Sequence, residues 1–485
     1  MLFNSIEFAL FLPIVFIFYW FATSNSLKVQ NSLLLGASYF FYGWWDWRFL
    51  SLIILSSFID YFIGVFLIKE SRERRRKLLL ITSVLVNFGF LGFFKYFNFF
   101  IDSFTDVFTF FGHSIESSRL SIILPVGISF YTFQTLSYTI DVYKKKLRPT
   151  KDIIAFFAFV SFFPQLVAGP IERATNLLPQ FFVKRKFDYR KSVDGLRQIL
   201  WGFFKKIVIA DNCAVYVNDI FENYNIYPSS LLAIGAVLFA FQIYCDFSGY
   251  SDIAIGTARL FGFNLMQNFS FPYFSRDIAE FWRRWHISLS TWFRDYLYIP
   301  LGGSRGSVAI KIRNVFIIFI VSGFWHGANL TFIAWGLLHA LYFIPLMLLG
   351  GNRRNTGSIA KGKYLPTLKE FYQMNITFII TVMAWVFFRA DSMTHALAYL
   401  GSLFAAPFYS ELVIELKTID MEIIFIFIGL LVLTEWVQRE KQHGLDFEGQ
   451  DDISKFTRRV FYFILGGSIF IFGNFNKTEF IYFAF

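Results

Sequence analysis

The chain has 485 residues, of which 56% are hydrophobic and 22% aromatic, whereas only 16% are charged; the net charge is +11. A soluble domain carries about 25% charged residues, so this composition excludes a water-soluble enzyme. The positive balance sits in short loops between apolar runs, which is the pattern of a membrane protein and not of a nucleic-acid binder.

Apolar runs of membrane-spanning length predict spans at 6–22, 30–45, 48–68, 78–97, 121–143, 152–168, 195–217, 229–247, 312–323, 328–350, 372–389, 420–437 and 458–475. The expected fold class is therefore all-α, a polytopic helical membrane protein. The first run has no basic leader region, carries Glu7 and lacks a small-residue cleavage site, so it reads as a retained span and not a signal peptide. No internal repeat or long linker divides the chain, and the polar stretch 439–457 reads as a loop before the last span. One membrane domain, 1–485, is expected, with its chemistry inside the bundle. Cys213 and Cys245 are the only cysteines and form no CxxC pair. They imply packing thiols, with no disulfide framework and no metal site.

The positive-inside rule places the basic loop Lys69–Lys77 in the cytoplasm and, counting back through three spans, the N-terminus outside. Counting forward puts Lys144, Lys145, Lys146 and Arg148 inside as well. The parity then fails, because Lys184-Arg185-Lys186 follows span 152–168 with no clear span between. Either 152–171 is re-entrant or Gly169-Pro170 turns within the membrane; both put irregular backbone at depth, where only protein can surround it.

Three segments carry polar chemistry. The first, Tyr244-Cys-Asp246-Phe-Ser-Gly-Tyr-Ser-Asp252, ends a predicted span. Its carboxylates suit a polar cavity or an arginine from 276–300, or else a helix-terminal turn with Asp252 as an N-cap. The second, 276–300, holds Arg276, Asp277, Glu280, Arg283, Arg284, Arg294 and Asp295, too many charges for a lipid-facing span. Phe281, Trp285, Ser288 and Trp292 recur at helical spacing, so an interfacial helix is expected, with His286 behind the aromatic-basic cluster.

The third, residues 314–349, contains no charged side chain and would be ~54 Å long as one helix. A bilayer core is only ~30 Å thick, so the stretch must bend or break. Gly323 and Gly327 flank His326 and permit a break there. An ionisable group at such a point is a functional candidate; a neutral histidine bonded to a neighbouring helix is the competing reading. Ser322 and Asn329, at i−4 and i+3, share its face if the helix persists. His339 points elsewhere and is expected to be a buried structural residue. His113, His395 and His443 lie in polar or loop contexts and are expected at the surface.

The order Asp246-Phe-Ser-Gly-Tyr-Ser-Asp252, Phe281-Trp-Arg-Arg-Trp-His-Ile-Ser-Leu-Ser290, Arg294-Asp-Tyr-Leu-Tyr-Ile-Pro-Leu-Gly-Gly303 and Gly323-Phe-Trp-His-Gly-Ala-Asn329 resembles the membrane-bound O-acyltransferase (MBOAT) superfamily. Gly36–Trp45, Leu124–Gln134 and Phe163–Ile171 agree with it, so the resemblance covers nearly the whole chain. It is strongest to the bacterial branch that O-acetylates alginate and peptidoglycan and includes the teichoic acid D-alanyl transferase. The resemblance implies a ring of about 11–13 helices around a central tunnel, with re-entrant and interfacial helices. The motif-bearing core would be about 120–350, with N-terminal helices in 1–119 and C-terminal helices in 351–485.

It further implies that His326 is the essential histidine and that His286 occupies the second active-site position, held by asparagine in many eukaryotic members. Asn329, Ser322, Trp325, Trp285, Arg283, Arg284, Asp246 and Asp295 are the candidates for lining the tunnel or positioning substrate. The expected reaction carries acetyl from cytoplasmic acetyl-CoA across the bacterial inner membrane to an extracytoplasmic polysaccharide. A serine-esterase-like acetyltransferase partner would complete it, and no metal or permanently bound cofactor is expected. A thioester needs only a base for the attacking hydroxyl, and a neutral imidazole with a pKa near ~6.5 contributes about 10²–10⁴-fold. Asn329, the backbone N–H at Gly327 or His286 would receive the oxyanion, and Arg283 and Arg284 are candidates for donor phosphates. Two alternatives stay open: D-alanyl transfer from a carrier-protein thioester to teichoic acid, and a transporter or flippase.

Overall fold

In the computed structural model, residues 1–111, 120–167, 169–408, 420–449, 454–475 and 480–481 are described. They contain helices and irregular segments and no strand among the described residues. The chain divides into two compact units: residues 1–192 with 257–266, and residues 193–256 with 267–485.

In the first unit the principal helices are α1 (Ile6–Ile17), α2 (Leu27–Lys69), α3 (Glu73–Leu91), α4 (Phe97–Phe110), α5 (Ile128–Tyr143) and α6 (Ile153–Ser161). The spans predicted at 30–45 and 48–68 are one helix, α2, kinked at Asp46, whose backbone is extended (φ −157°, ψ 111°). The Asp46 carboxylate holds the kink by accepting from the Arg48 backbone N–H at 2.9 Å and pairing with its guanidinium at 2.6 Å. Deeper in the unit, Asp60 of α2 is wholly buried. It accepts hydrogen bonds from Ser83 and Asn87 of α3 and Thr139 of α5, the last two at 2.8 Å. A buried carboxylate is tolerated only when hydrogen-bonded in this way, and here it ties three helices together.

The run predicted as a span at 152–168 does not continue as one helix. It stops at Phe162 (φ −50°, ψ 105°), resumes for Phe163–Leu166 as α7, and then runs irregularly to a short α8 at Ala174–Leu177. Residues 155–167 are buried throughout, so protein surrounds this irregular backbone. Arg185, in the basic triplet that broke the parity, is also buried. It donates to Gln30 at 3.2 Å and Asn31 at 2.6 Å and lies over the Phe263 ring.

The second unit takes up α9 (Tyr189–Phe203), which continues through a π-helical turn, Phe204–Ala210, into α10 (Asp211–Glu222). Then follow α11 (Ser229–Leu260), α12 (Ile278–Arg284), α13 (Ile287–Phe293), α14 (Val308–His326), α15 (Leu330–Leu348), α16 (Leu368–Arg389), α17 (Met393–Ala405), α18 (Met421–Val437) and α19 (Lys455–Phe472). Two predicted boundaries move. Helix α11 runs to Leu260, past the predicted end at 247, so Asp246–Asp252 lies within a helix and not in a terminal turn, and Asp252 is no N-cap. The segment 276–300, expected as one interfacial helix, is not continuous: α12 and α13 are separated at His286.

Among the described residues, six helices are long and apolar enough to cross a bilayer by length and composition: α2, α3 with its continuation to Thr105, α11, α14, α15 and α16. The other predicted runs fold as shorter or more charged helices.

Candidate active site

His326 is the last residue of α14. Gly327 follows with an extended backbone (φ −162°, ψ 153°), and α15 starts at Leu330. The break expected in the long apolar run is therefore at the histidine itself. Its glycines act by allowing close approach. A Cβ on Gly327 would lie 2.1 Å from the Phe332 ring, one on Gly323 2.2 Å from the Phe332 carbonyl oxygen, and one on Gly336 2.2 Å from that of Phe319. Gly323 remains helical, so its part is to let α15 fold back against α14, the small-residue packing of membrane helices.

His286 arrives from the break between α12 and α13 with a left-handed backbone (φ 43°, ψ 55°), a conformation uncommon outside glycine, asparagine and aspartate. Asn268 holds this turn: its carbonyl accepts from Ile287 N at 2.9 Å and its side-chain oxygen from Ser288 Oγ at 2.7 Å. The His286 and His326 rings stand 6.3 Å apart between centroids, and both side chains are buried. Burial pushes the His286 imidazole down to about 3, because taking the charged ring out of water costs solvation.

Aromatic rings close the site. Trp325, Trp335 and Phe388 lie 5.0, 5.1 and 5.3 Å from His326, and Phe247 lies 4.6 Å from His286. Trp285 is fully buried and packs on Trp385 at 4.9 Å. Trp335 and Phe388 escape a reading by sequence spacing. Trp335 is nine residues from His326, half a turn around an unbroken helix at about 100° per residue, and only the fold-back at Gly327 brings it near.

Two cavities open along the α14–α15 hairpin, and neither is lined by His326 or His286. One, of about 550 Å³, is lined along α14 from Lys311 to Ser322 and also by Arg294 and Arg353. The other, of about 590 Å³, begins just beyond His326 at Ala328 and Asn329 and is lined by Lys206, Asp211, Asp246 and Asp391 among others. Ser322 and Asn329 thus fall in different cavities. Asn329 is occupied as the N-cap of α15, accepting from Thr331 N at 3.1 Å and donating to the Asp391 carbonyl at 2.8 Å.

Asp246 receives no arginine from 276–300. Its partner is Lys206 at 2.6 Å, which also pairs with Asp211 at 2.7 Å; Lys205 pairs with Asp252 at 2.6 Å. The lysines reach them because α9 and α11 touch through glycines: a Cβ on Gly202 would lie 2.6 Å from the Gly249 carbonyl oxygen. Asp246 also accepts from the Ile481 backbone N–H at 2.7 Å. A pair of lysines inside the apolar run 195–217 was the sequence signal for this cluster.

The remaining candidates lie apart from the histidines. Arg283 donates to the carbonyls of Asn352 and Asn355 at 2.9 and 2.6 Å, and Arg284 pairs with buried Glu280 at 2.9 Å. Asp295 pairs with its neighbour Arg294 at 2.7 Å. His339 is fully buried, accepting from Trp282 Nε1 at 3.3 Å. The surface expectation fails for His443, and His395 is half-buried. His443 is buried with Nε2 3.1 Å from Asp194, and His395 has Nε2 2.9 Å from the Phe221 carbonyl and stacks on Tyr224. In each case a backbone or carboxylate acceptor draws the ring inward. His113 lies outside the described residues. Both cysteines are buried thiols.

Comparison with known proteins places this arrangement. The profile of the membrane-bound O-acyltransferase family matches residues 39–388. A probable alginate O-acetylase of Pseudomonas aeruginosa is 42% identical over 409 residues, 84% of this chain and 75% of the relative. The peptidoglycan O-acetyltransferase of Helicobacter pylori is 36% identical over 83% of this chain and 80% of its own length. A teichoic acid D-alanyltransferase of Bacillus subtilis is 29% identical over 44% of this chain and 57% of its own. A long family match, high identity over most of the chain, and a buried histidine at a helix break establish that this multi-span protein belongs to the membrane-bound O-acyltransferase family and is an O-acyltransferase.

Proposed function

We propose that the protein moves an acetyl group from acetyl-CoA, entering from the cytoplasm, to an acceptor for O-acetylation of an extracytoplasmic polysaccharide such as alginate or peptidoglycan. The observation that carries this reading is that His326 lies in the chain between Ser322, on the wall of one cavity, and Ala328, on the wall of another. The first cavity carries Arg294, Lys311 and Arg353 on its wall, charges that suit a phosphorylated thioester donor. Its end of the hairpin adjoins loops rich in Arg and Lys, including Arg305, Arg354, Lys361 and Lys363, which supports a cytoplasmic side. The second cavity, with its carboxylates and amides, suits a hydroxyl-bearing acceptor.

In this reading neutral His326 takes the proton of the acceptor hydroxyl as its oxygen attacks the thioester carbonyl. The tetrahedral intermediate collapses with cleavage of the C–S bond, and the proton passes to the departing thiolate. His286, 6.3 Å away, orients the donor carbonyl. Among the described residues Trp335 Nε1 is buried without a hydrogen-bond partner beside His326, so it is a donor available to the oxyanion. The surrounding rings exclude water, which would otherwise hydrolyse the thioester. Tunnel-lining roles for Trp285, Trp325, Ser322, Asn329 and Asp246 follow from the same picture. Arg283, Arg284 and Asp295 keep the interfacial segment and its loop in place. A secreted serine-esterase-like acetyltransferase would receive the acetyl group and complete polymer acetylation.

The test is polymer-linked acetate in cells making His326→Ala at normal abundance, together with acetyl-CoA turnover by the purified protein. Loss of both is expected. Unchanged acetate would refute the role of His326, and D-alanyl incorporation in its place would redirect the donor to a carrier-protein thioester.

A further inference from the structure

A cavity of about 380 Å³ in the first unit lies away from the histidines in sequence and carries a different chemistry. Its wall includes Lys186, Lys191 and Arg259, with a single carboxylate, Asp188. That carboxylate is already engaged, accepting from the backbone N–H groups of Arg190 and Lys191 at 3.0 and 3.2 Å at the start of α9. The ammonium groups of Lys186 and Lys191 form no ion pair among the described residues. With three cations and one carboxylate on its wall, the cavity carries net positive charge.

Its depth follows from its neighbours. Trp20 closes one side, at the end of the apolar stretch Ile6–Ala22, and its Nε1 donates to the Leu260 carbonyl at 3.0 Å, at the end of the apolar helix α11. Where two such helices end, the wall of the cavity stands at the level of the lipid headgroups, the depth tryptophan favours. The segment leading into it, Phe182-Val-Lys-Arg-Lys-Phe-Asp-Tyr189, turns only Arg185 inward. Phe182, Val183, Phe187 and Tyr189 are exposed, Tyr189 by 73%, and they alternate with outward lysines. Exposed aromatic and apolar groups beside cations form a membrane-surface contact in which the rings enter the interface and the ammonium groups meet phosphate.

We infer that Lys186 and Lys191 form a binding site for the phosphodiester headgroup of an anionic phospholipid, with Phe187 and Tyr189 seated in the adjoining interface. Such a site would pin the irregular region between α5 and α9 to one leaflet.

The experiment uses the full chain purified in detergent. Retained lipid is read by native mass spectrometry, and the thermal midpoint is followed on adding phosphatidylglycerol, phosphatidylcholine or inorganic phosphate. The wild-type chain should retain phosphatidylglycerol over phosphatidylcholine and be stabilised by it. The variant Lys186→Gln/Lys191→Gln should lose that preference by about fivefold per lysine. Both positions are exposed, so folding should be unaffected. Lys145→Gln/Lys146→Gln, which removes the same charge from another exposed loop, should retain the preference. Equal retention of the two lipids by the wild type, or an unchanged preference in the first variant, would overturn the site. Equal losses in both variants would reduce it to diffuse surface charge, and stabilisation by inorganic phosphate alone would make it a site for a soluble anion.

Discussion

The imidazoles of His326 and His286 face each other at 6.3 Å, inclined by 51°, and each is delivered by a helix that stops at it. His326 ends α14 before an extended glycine, and His286 sits in a left-handed turn between α12 and α13. Neither position would exist on a continuous helix. The two breaks are thus the means by which polar groups meet inside an apolar bundle.

The left-handed turn makes His286 separable into backbone and ring. Asparagine tolerates that conformation and alanine does not, so His286→Asn should keep the fold while His286→Ala should lose a further ~1–2 kcal/mol of stability. Both should lower acetyl transfer, with His286→Asn acting mainly on kcat. Since burial holds His286 near 3, the ring is neutral throughout the range of about pH 5–8 in which an ordinary histidine titrates. The kcat/KM profile over that range should therefore keep its shape in His286→Asn. A limb that moves with this substitution would show that His286 titrates during turnover.

Lys206 is buried between Asp246 and Asp211 at 2.6 and 2.7 Å. Removing one partner of such a cluster leaves a charge without compensation, at a cost of about 3–5 kcal/mol. Lys206→Met should therefore lower the thermal midpoint in detergent sharply, and Lys206→Met/Asp246→Asn should recover part of the loss. If the single variant melts like the wild type, the cluster does not hold the wall of the acceptor-side cavity.

Much of this was legible in the residues. The apolar length of 314–349 demanded a break, and Gly327 located it, because only glycine permits the approach of Phe332. The kink at Asp46 likewise falls in the predicted gap between two runs. The partners of the site were harder to read. Trp335 and Phe388 reach His326 only through the fold-back, and Lys206 finds Asp246 because Gly202 and Gly249 let two helices touch. Composition and periodicity describe one helix at a time, so contacts set by close helix crossings stay hidden. The same limit explains Asp246–Asp252, where turn-forming residues sit in a helix whose glycines serve packing.

The cavity proposed for the donor should respond to charge. Lys311 and Arg353 are on its wall and remote in sequence from both histidines, so Lys311→Glu/Arg353→Glu should raise KM for acetyl-CoA while leaving kcat nearly unchanged. The effect should shrink from low salt to about 0.15 M salt, where charges more than ~8 Å apart are screened. A fall in kcat at unchanged KM would place the donor elsewhere.

Trp335 offers the sharpest test of the proposed chemistry. Its ring packs edge-on to His326 at 5.1 Å with planes 88° apart, and also against Trp385 and Phe388. A buried N–H without a partner is costly in the resting protein, and that cost is offset if an oxyanion forms beside it in the transition state. Trp335→Phe removes the N–H and keeps most of the ring. Because the interaction arises only as charge develops, kcat should fall by about 10²–10³-fold, the loss expected for one oxyanion donor, with KM little changed. The thermal midpoint should hold or rise, since an unpaired polar group has been removed. Trp335→Ala, by contrast, should destabilise the protein by about 3–5 kcal/mol through the cavity it leaves. A Trp335→Phe enzyme with full kcat would assign the residue to packing alone and leave the oxyanion to His286 or to the backbone at Gly327.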